Sequence, residues 1–416
     1  MNNPLEEIEK LETKFLIVSA SIVVLGIIMV FSSSYMYSMD VFGNSAYIFI
    51  KQFVFAIVGA AVAYVVYKTK ISFWIKYAQY IHMAMVFVLC LTIVPGLGIT
   101  TKGSSRWVQI MGIGFQPGEP VKFTIMLIAL KFFDQFTNLS KEEKFKLGGL
   151  ILLPLLLLIK QPDFGTFSIC SVVITFVCFI SSFPRKIFYS SLPLGLAAGL
   201  VILYSQPYRV KRMLSYLDPW ADPQGKGFQI IQSLYGFANG TLFGLGIGNS
   251  NEKLFYLPEA HNDFIFSVIG EEIGFFGVFI IIIMFTTFVY LGFKISTRIT
   301  ERINAILVSC VIFTIGLQAL VNMGVVLGML PTKGLNLPFI SYGGTSLVTN
   351  LFALGLIFSA IRSEKRKLIS ESPTDNFTSD SGLYYNNSSV RQGKRAHHVQ
   401  RDETRERSTS NQFSGF

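Results

Sequence analysis

Long apolar segments recur along the whole chain, and short polar connections separate them. The hydrocarbon core of a bilayer is about 30 Å thick, so a helix needs roughly 20 apolar residues to cross it. Backbone groups left unpaired in lipid are costly, which excludes open structures there. The pattern predicts ten membrane-spanning helices, at about 15–34, 47–67, 76–95, 120–136, 147–160, 165–183, 187–205, 264–293, 303–329 and 346–362.

These segments predict an all-α polytopic membrane protein with three regions. We expect a cytoplasmic N-terminal segment at 1–14, a ten-helix transmembrane domain at 15–362 and a disordered cytoplasmic tail at 363–416. The fourth segment carries Lys122, Lys131 and Asp134 and the fifth is short, so these two fit a membrane span least well. The end of the chain is rich in Ser, Thr, Asn and Arg without apolar periodicity, which is typical of disorder.

Basic residues fall on alternate connections between the predicted helices. By the positive-inside rule, connections rich in Lys and Arg face the cytoplasm. The connection 35–46 has no Lys or Arg, so it should face outward. Both termini are therefore predicted to be cytoplasmic, as an even number of spans requires. The basic groups are Lys68, Lys70 and Lys76; Lys141, Lys144 and Lys146; Arg185 and Lys186; and Lys294, Arg298 and Arg302.

The composition supports a membrane protein and excludes other classes. Hydrophobic residues make up 51% of the chain and charged residues 14%, which does not suit a surface in water. The formal net charge is +10, but the basic residues are scattered over short loops, so we predict no nucleic-acid partner. The four cysteines lie inside apolar runs without metal-ligand spacing, and we expect them to be packing residues.

Two outward connections are unusually long, at about 96–119 and 206–263. Loops of that length in a compact protein are more often functional than idle. The second is the large extracytoplasmic loop between helices 7 and 8. Its apolar residues at helical spacing predict a helix that either lies on the membrane surface or packs on the bundle. These residues are Phe228, Ile231, Leu234, Tyr235 and Ala238.

Acidic and basic side chains gather in the outward connections. Arg and Lys hold phosphate oxygens and a carboxylate can act as a base, so the set suits an anionic, lipid-tethered substrate. A protease triad is not supported, because no Gly-x-Ser-x-Gly motif accompanies the histidine. The acids and the histidine are Asp163, Asp218, Asp222, Glu252, Glu259, His261 and Asp263, with Glu119 nearer the membrane. The cations are Lys102, Arg106, Lys122, Arg209, Lys211, Arg212, Lys226, Lys253 and Lys333.

Three features in or beside the large loop each have two interpretations. Asp263 directly precedes an apolar run, so either it or Asn262 is a helix N-cap, or Asp263 is a base at the water–lipid boundary. The segment GLGIGNS at 244–250 resembles a phosphate-binding loop but lacks the preceding strand, which favours a flexible hinge. Glu271 and Glu272 lie deeper in the same helix, where ionisable residues are functional candidates or hydrogen-bond a neighbouring helix.

Two long motifs carry a family resemblance. The stretch YLDPWADPQGKGFQIIQSLYGFANGTLFGLGIGNSNEKLFYLPEAHNDFIFSVIGEEIG at 216–274 and LPTKGLNLPFISYGGTSL at 330–347 closely resemble the shape, elongation, division and sporulation (SEDS) family of bacterial membrane proteins. The similarity extends over about 14–362. Within the family, DPWADPQG, the YLPEAH run and LPTKGL look like the division branch rather than the elongation branch.

The resemblance implies a function as well as the ten-helix SEDS fold. It implies a peptidoglycan glycosyltransferase of the inner membrane at the division septum, which polymerises lipid II into a growing glycan strand and releases undecaprenyl diphosphate. The implied partners are a class B penicillin-binding transpeptidase (FtsI-like) and other division proteins. A divalent cation, Mg or Mn, is implied too, although the sequence shows no recognisable ligand set. The alternatives are a lipid II flippase dependent on deep charges such as Lys51 or Glu271, an elongation-type polymerase, or a scaffold without chemistry.

The resemblance also assigns site residues. The family's His-Thr-Asp-Phe motif matches 261–264, which implies that Asp263 is the catalytic base that deprotonates the acceptor's 4-hydroxyl. Asn262 replaces the family's Thr there. The predicted substrate-binding residues are Lys333 in PTKG, Arg106 and Trp107 in SRW, Lys122 and Glu119 in QPxExxK, His261 beside the base, and Arg209 and Arg212 near the lipid head groups.

Two places in these motifs leave their roles open. Gly118 and Pro120 replace the family's usual Ser and Phe, and Lys102 replaces an Asn ahead of SRW, so the loop there can sit differently. The SYGG turn at 341–344 is expected to be structural, because adjacent glycines allow backbone conformations closed to bulky residues. Direct contact of Ser341 or Tyr342 with substrate is the alternative.

Overall fold

The computed structural model describes residues 3–101, 104–110, 112–205, 210, 216–225, 227–253, 257–258, 260–331 and 334–371. Within these residues, each of the ten predicted spans is a helix, and one further helix lies in the large loop. The helices are α1 Pro4–Phe42, α2 Tyr47–Lys68, α3 Ile71–Leu91, α4 Gly118–Asp134, α5 Lys141–Lys160, α6 Phe164–Ile180, α7 Arg185–Tyr204, α8 Phe228–Gly240, α9 Ile265–Ser296, α10 Arg302–Val326 and α11 Gly344–Ser370, with a 3₁₀ turn at Pro219–Ala221.

Seven of the described helices are long and apolar enough to cross a membrane, by length and composition: α1, α2, α3, α7, α9, α10 and α11. Helix α6 is apolar but shorter, at 17 residues. Helix α4 is surrounded by α3, α5, α6 and α10, and every residue from Val121 to Leu130 is buried. Its charged residues therefore lie inside protein rather than lipid, which explains why it fits a simple membrane span poorly.

The first and last helices extend past their predicted limits. Helix α1 begins at Pro4 rather than near residue 15, and the side chain of Asn3 caps it by accepting the Leu5 N–H at 3.1 Å. The predicted separate segment 1–14 is therefore largely part of α1. Helix α11 continues from 362 to Ser370. A helix needs apolar residues only where it meets lipid, so hydropathy does not detect polar extensions.

The chain divides into two compact units, residues 1–365 and 366–416. Only 366–371, the end of α11, is described in the second unit, so the predicted disordered tail lies outside the described residues. Within the first unit, polar contacts join the helix ends and connections on the side of the bundle that carries the basic connections. These are Glu7 with Arg298 at 2.7 Å, Lys365 with Glu12 at 3.0 Å, Arg302 with Asp134 at 3.5 Å, and the Ser182 hydroxyl with Asp134 at 3.0 Å.

A three-stranded antiparallel sheet, which the sequence analysis did not predict, lies between α3 and α4. Its strands are β1 Gly98–Thr101, β2 Ser104–Ile110 and β3 Ile113–Phe115, in that order. Gly112, with φ of 81°, makes the tight turn between β2 and β3. A strand of three or four residues is too short for alternation to be visible in sequence.

Helix α8 packs on the bundle rather than lying free on a membrane surface. Its Ser233 hydroxyl donates to the Val326 carbonyl at 2.7 Å, and the Ser267 hydroxyl donates to the Ser233 carbonyl at 3.0 Å. Its buried residues are Ile230, Ile231, Ser233, Gly236 and Gly240. The predicted helix is therefore confirmed and packs on the bundle; Ile231 of the predicted apolar face is buried, whereas Tyr235 is exposed.

Helix α9 is broken at Gly274, which adopts φ 73° and ψ −166°. A residue with a Cβ would be strained in this conformation, and the Cβ would also overlap the backbone of Gly244. In a continuous helix, the N–H groups of Phe275 and Phe276 would donate to the carbonyls of Glu271 and Glu272. The break separates these donors from these acceptors.

The segment that follows α8, residues 241–246, forms hydrogen bonds with the backbone groups on both sides of the break. Backbone N–H groups of this segment donate to the two carbonyls that the break leaves without a helical partner. Its backbone carbonyls accept from the two N–H groups that the break leaves without one. The exchanged bonds are Leu245 N–H to Glu271 O at 2.9 Å, Gly246 N–H to Glu272 O at 2.9 Å, Phe275 N–H to Thr241 O at 3.0 Å and Phe276 N–H to Leu242 O at 3.3 Å. The start of the segment 244–250 is thus hydrogen-bonded to α9, which does not fit a flexible hinge.

Candidate active site

Asp263 lies at the end of the large loop, immediately before α9. The helix begins at Ile265 and its N-cap position is Phe264, so the N-cap interpretation of Asp263 is wrong. The Asn322 side chain, from α10, donates to the Asp263 backbone carbonyl at 2.8 Å and to the Leu335 carbonyl at 2.6 Å. One amide therefore ties the segment that carries Asp263 to the loop before α11.

Gly334 lies where an acidic and a basic side chain of the site come close to the same loop. A Cβ added to Gly334 would lie 3.1 Å from Asp263 Oδ2 and 3.2 Å from Arg106 Nη1. The carboxylate and the guanidinium therefore both lie beside this glycine, in the space that a side chain would enter. The structure thus brings together the predicted catalytic residue, one predicted phosphate ligand and the PTKG loop.

Arg106 is held in place from the side of the α5–α6 connection. Its Nη2 donates to the Pro162 carbonyl at 2.9 Å, and its Nε lies 3.8 Å from Asp163 Oδ1. Asp163 in turn caps α6 by accepting from the Thr166 N–H at 3.3 Å, and it also accepts from the Thr166 hydroxyl at 2.8 Å. These contacts leave Nη1 directed toward Gly334, so the guanidinium is oriented before any substrate binds.

Trp107 does not share the position of Arg106. Successive side chains of a strand point to opposite faces, and Trp107 lies over β3, where a Cβ added to Gly114 would be 3.4 Å from its ring. The structure therefore gives Trp107 a packing contact within the sheet. Its predicted contact with substrate stays a prediction.

Lys122 and Glu119 form a fully buried ion pair. Lys122 Nζ lies 2.9 Å from Glu119 Oε2, and the two side chains are 0% and 3% exposed. The same ammonium donates to Gln318 Oε1 at 2.5 Å. In this structure the Lys122 ammonium is paired and shielded from solvent, so the predicted contact of Lys122 and Glu119 with substrate stays a prediction.

The buried pair instead starts a chain of contacts that ends at the site. Gln318 Nε2 donates to the Asn336 carbonyl at 2.9 Å, and Asn336 Nδ2 donates to the Tyr342 carbonyl at 3.0 Å. The Tyr342 N–H then donates to the His261 carbonyl at 3.0 Å. Lys122 thus holds, through Gln318, the loop that neighbours His261 and Asp263.

The SYGG turn is held by α2 and by Asn336. The Gln52 amide donates to the Ser341 carbonyl at 3.2 Å and accepts from the Gly343 N–H at 3.3 Å. A Cβ on Gly343 would overlap the Asn336 side chain, and one on Gly344 would overlap the Phe55 ring. The turn is structural as predicted, but the glycines are needed for close approach rather than for unusual backbone angles.

His261 packs among aromatic rings. Its ring centroid lies 4.9 Å from that of Tyr37 and 5.9 Å from that of Tyr342, and burial raises the pKa of the Tyr342 hydroxyl.

Three predicted site residues, Lys333, Arg209 and Arg212, lie outside the described residues. Their assignment to substrate stays a prediction.

A second buried polar cluster fixes the middle of the large loop. Lys253 Nζ lies 2.8 Å from Glu272 Oε1, with both side chains almost fully buried, and the Ser32 hydroxyl donates to Glu272 Oε2 at 2.5 Å. Glu271 accepts from the Ser250 hydroxyl and, at 3.2 Å, from the Glu252 N–H. Both glutamates therefore hold the loop on α9, which extends the hydrogen-bonding interpretation from neighbouring helices to the loop itself.

The described residues do not form a metal site of their own. No group of three or more His, Cys, Asp or Glu side chains is gathered in the part of the chain that the structure describes. At the site itself, the carboxylate of Asp263 stands beside a guanidinium. This donor set does not fit a resident cation.

Sequence reasoning missed two amides that organise the site, Gln318 and Asn322. Both are uncharged residues inside an apolar helix and fall outside an inventory of acids and cations. The sequence could have indicated them, because each is a polar side chain on a predicted membrane-spanning helix, where an amide without hydrogen-bond partners is costly. Each is buried and binds carbonyls of the loop before α11.

The chain is similar to one protein family and to many of its members. The profile described as FTSW_RODA_SPOVE, "Cell cycle protein", matches residues 12–366. "Probable peptidoglycan glycosyltransferase FtsW" of Geobacter metallireducens is 37% identical over an alignment of 363 residues that covers 85% of this chain and 96% of that protein. The protein of the same description from Coxiella burnetii is 38% identical, over 82% and 93% of the two chains. "Stage V sporulation protein E" of Bacillus subtilis is 33% identical, over 83% and 95%.

Solved structures share the fold. A chain from a study of polymerization and crosslinking by a peptidoglycan synthase complex has a TM-score of 0.67 at 27% identity, covering 84% of this chain and 97% of that one. The rod shape determining protein RodA of Thermus thermophilus has a TM-score of 0.60 at 23% identity, covering 84% and 96%. The helical bundle found here is thus an established membrane-protein architecture.

Proposed function

The chain belongs to the FtsW/RodA/SpoVE family of cell cycle proteins, and we propose that it is a division-type peptidoglycan glycosyltransferase that polymerises lipid II. Relatives that match most of the chain carry the description "Probable peptidoglycan glycosyltransferase FtsW". The single observation in the structure that carries the proposal is the meeting of Asp263 and Arg106 across Gly334. A carboxylate base and a phosphate-binding cation at one point are what glycosyl transfer from a diphosphate requires.

The proposed reaction is a single inverting displacement. Asp263 removes the proton from the 4-hydroxyl of the acceptor's N-acetylglucosamine. That oxygen attacks the anomeric carbon of the donor, the bond from this carbon to the diphosphate oxygen breaks, and the electron pair leaves with undecaprenyl diphosphate. The proton ends on Asp263. One positioned base is sufficient for this step.

Charge builds on the diphosphate as it leaves, and cations aimed at that place lower the barrier. Arg106 is oriented by Pro162 and Asp163 before substrate arrives, so it is suited to stabilise the departing oxygens without reorganisation. We assign Lys333, in the same loop as Gly334, to the same diphosphate. Arg209 and Arg212 are proposed to contact lipid head groups.

A divalent cation, Mg or Mn, belongs to the proposal only as an ion that arrives with the substrate. Mg²⁺ is often bound through one or two carboxylates together with substrate phosphates. When bound, it would add positive charge at the diphosphate. The described residues do not provide a complete ligand set, and the displacement above does not depend on one.

The proposed setting is the bacterial inner membrane at the division septum, with both termini in the cytoplasm. The contact between Glu7 and Arg298 joins the start of α1 to a basic connection, and the contact between Lys365 and Glu12 joins the end of α11 to the same part of α1. Both support the orientation. A class B penicillin-binding transpeptidase is the proposed partner. Its support is the similarity to a chain of a peptidoglycan synthase complex.

A lipid II flippase is the competing function, and the contacts of the deep charges argue against it. Glu271 accepts hydrogen bonds from the large loop, and Lys51 lies 4.4 Å from the centroid of the Tyr47 ring. Glu271 therefore has a structural task in holding the loop. A carrier would instead need deep charges that exchange partners during transport.

The test is glycan formation from fluorescent lipid II by the purified protein together with its class B transpeptidase, which cannot polymerise. We expect polymer from the wild type and a rate lower by at least about 100-fold for Asp263→Ala, since a general base contributes that much or more. Asp218→Ala, which removes an exposed carboxylate from the same loop, is the matched control and should polymerise normally. Transport of lipid II across vesicles by wild type and Asp263→Ala alike, without polymer, would replace the proposal with the flippase.

A further inference from the structure

An apolar groove runs between α6 and α10 just below the candidate active site. It has a volume of about 200 Å³. Its walls are Ile169 and Val172 from α6 and Leu317 and Val321 from α10, and the loop before α11 closes it with Leu330 and Leu335. The one hydroxyl in its lining, that of Ser168, donates to the Phe164 carbonyl at 2.6 Å.

The groove is open at the surface of the bundle. Val172 is 43% exposed and Leu330 is 37% exposed, although both residues are large and apolar. An apolar groove offers water no partners, and an unfilled one forfeits dispersion contacts along its lining. In a bilayer, a hydrocarbon chain is therefore its natural occupant.

The upper end of the groove is the active-site loop itself. Leu330, Pro331 and Leu335 line the groove on either side of Gly334, where Asp263 and Arg106 meet. Gly165, in the first turn of α6, completes this end, and a Cβ there would lie 3.0 Å from the Leu335 side chain. A chain that fills the groove thus begins beside the carboxylate and the guanidinium.

We propose that the groove holds the first isoprene units of the donor substrate, the lipid-linked strand whose diphosphate is displaced. This assignment rests on the proposed function. In the donor, the diphosphate is bonded to the anomeric carbon under attack, so the lipid chain starts next to the base and the cation. In the acceptor, a whole disaccharide separates the reacting 4-hydroxyl from the diphosphate, so the acceptor's chain enters the membrane elsewhere.

The position of the groove also gives the leaving group its exit. When the bond from the anomeric carbon to the diphosphate oxygen breaks, undecaprenyl diphosphate is already seated between two membrane helices. It can move sideways into the bilayer while the sugar strand remains in the site. A groove for the donor chain therefore serves both to position the donor and to release the product.

Binding is tested first, without relying on turnover. The probe is lipid II with a photoreactive diazirine in its first isoprene units, used with the full-length Asp263→Ala protein in vesicles, with a 4-hydroxyl-blocked lipid II as the donor-only form. We expect labelled peptides from α6 and α10 with both forms. Labelling elsewhere, or equal labelling by phosphatidylglycerol with a diazirine in its acyl chain, would overturn the assignment.

Kinetics then separate the donor from the acceptor. The assay joins the 4-hydroxyl-blocked lipid II, which can only donate, to ordinary lipid II, and each concentration is varied in turn. Leu317→Trp fills the groove and should raise the KM for the blocked donor at least tenfold, with the KM for the acceptor unchanged. Leu320→Trp is the matched control, because it makes the same change on the same helix at a position 65% exposed and outside the groove.

The outcomes distinguish this assignment from the proposed function. A raised KM for the acceptor instead, or equal effects of Leu317→Trp and Leu320→Trp, would overturn the donor groove while wild-type turnover still supported the enzyme. Absence of product from the wild type would contradict the enzyme itself. Photolabelling of α6 and α10 in that case would still establish the groove as a site for the lipid chain.

Discussion

The two ends of the helical bundle use charge in different ways. At the basic end, Arg298 pairs with Glu7, and their own side chains are 50% and 29% exposed. At the site end there are two buried pairs, Lys122 with Glu119 and Lys253 with Glu272. None of these four side chains is more than 3% exposed. An exposed pair contributes little to stability, whereas a buried charge that loses its partner is strongly destabilising.

The difference teaches where the fold needs exact placement. At the basic end, regular helices are joined by short connections, and solvent can replace any lost contact. At the site end, the backbone is broken inside α9, and such irregular backbone in a membrane protein is tolerated only where the protein satisfies its polar groups. The buried pairs and the break at Gly274 meet that requirement, and they hold the large loop so that Asp263 faces Arg106.

The largest expected effect comes from breaking a buried pair. Lys253→Met leaves the Glu272 carboxylate without its cation and should lower the free energy of unfolding by about 3–5 kcal/mol. Arg298→Met, at the exposed pair, should lower it by less than about 1 kcal/mol. Reversible unfolding of the purified proteins in detergent and denaturant measures both values.

The double variant Lys253→Met, Glu272→Leu sharpens the same comparison. It removes both buried charges, so it should recover most of the stability lost by the single variant. A double variant as unstable as Lys253→Met, or an equal loss from Arg298→Met, would contradict the contrast between the two ends.

A smaller effect is expected at Asn322, which joins the segment of Asp263 to the active-site loop. Asn322→Leu leaves the carbonyls of Asp263 and Leu335 without this donor and should cost about 1–3 kcal/mol of stability. The rate of glycan formation should fall by about 100-fold, because the base is displaced, while lipid II binding is retained. Polymerisation rates and equilibrium binding measured on one preparation separate these effects.

Asn304 provides the control for that variant on the same helix at the basic end. It is also buried, and its amide donates to Glu301 at 2.7 Å. Asn304→Leu should lower stability by a similar amount without changing the rate per folded molecule. If both variants lowered the rate per folded molecule equally, Asn322 would have no special role in positioning the base.

The smallest effect concerns pH. Burial, with a contribution from the nearby Glu271 carboxylate, raises the pKa of Glu252 to about 7. Because the folded pKa lies above the unfolded one, the folded protein keeps its proton while the unfolded chain loses it. Stability should therefore fall as the pH rises from about 4.5 to about 7, by roughly 1–3 kcal/mol, and level off above. Unfolding measured at pH 5 and pH 8 should show this slope for the wild type and a weaker one for Glu252→Gln; equal slopes would assign it to another group.

The helices were predictable because lipid imposes one simple requirement on them. Each of the ten apolar segments is a helix, and the motif around Asp263 was recognisable because its residues are contiguous. Lys122 and Glu119 were recognisable from their motif, but their pairing with each other is visible only in the structure.

Other features depend on contacts that no local pattern records. The two outer strands of the sheet at 98–115 have only four and three residues, too few to show a period. The exchange of hydrogen bonds at Gly274 joins two segments about thirty residues apart. Gly334 carries no side chain, so its place between Asp263 and Arg106 is visible only in three dimensions.

The most direct test of the central claim is the initial rate of glycan polymerisation by Gly334→Val, compared with wild type and Gly195→Val. The added side chain enters the space between Asp263 and Arg106, whereas Gly195 has nothing within 4 Å of an added Cβ. We predict a loss of about 100-fold for Gly334→Val with an unchanged melting temperature, since displacement of reacting groups by about 1 Å has this effect, and a normal rate for Gly195→Val. A folded Gly334→Val protein that polymerises lipid II at the wild-type rate would contradict the claim that chemistry occurs where these two residues meet.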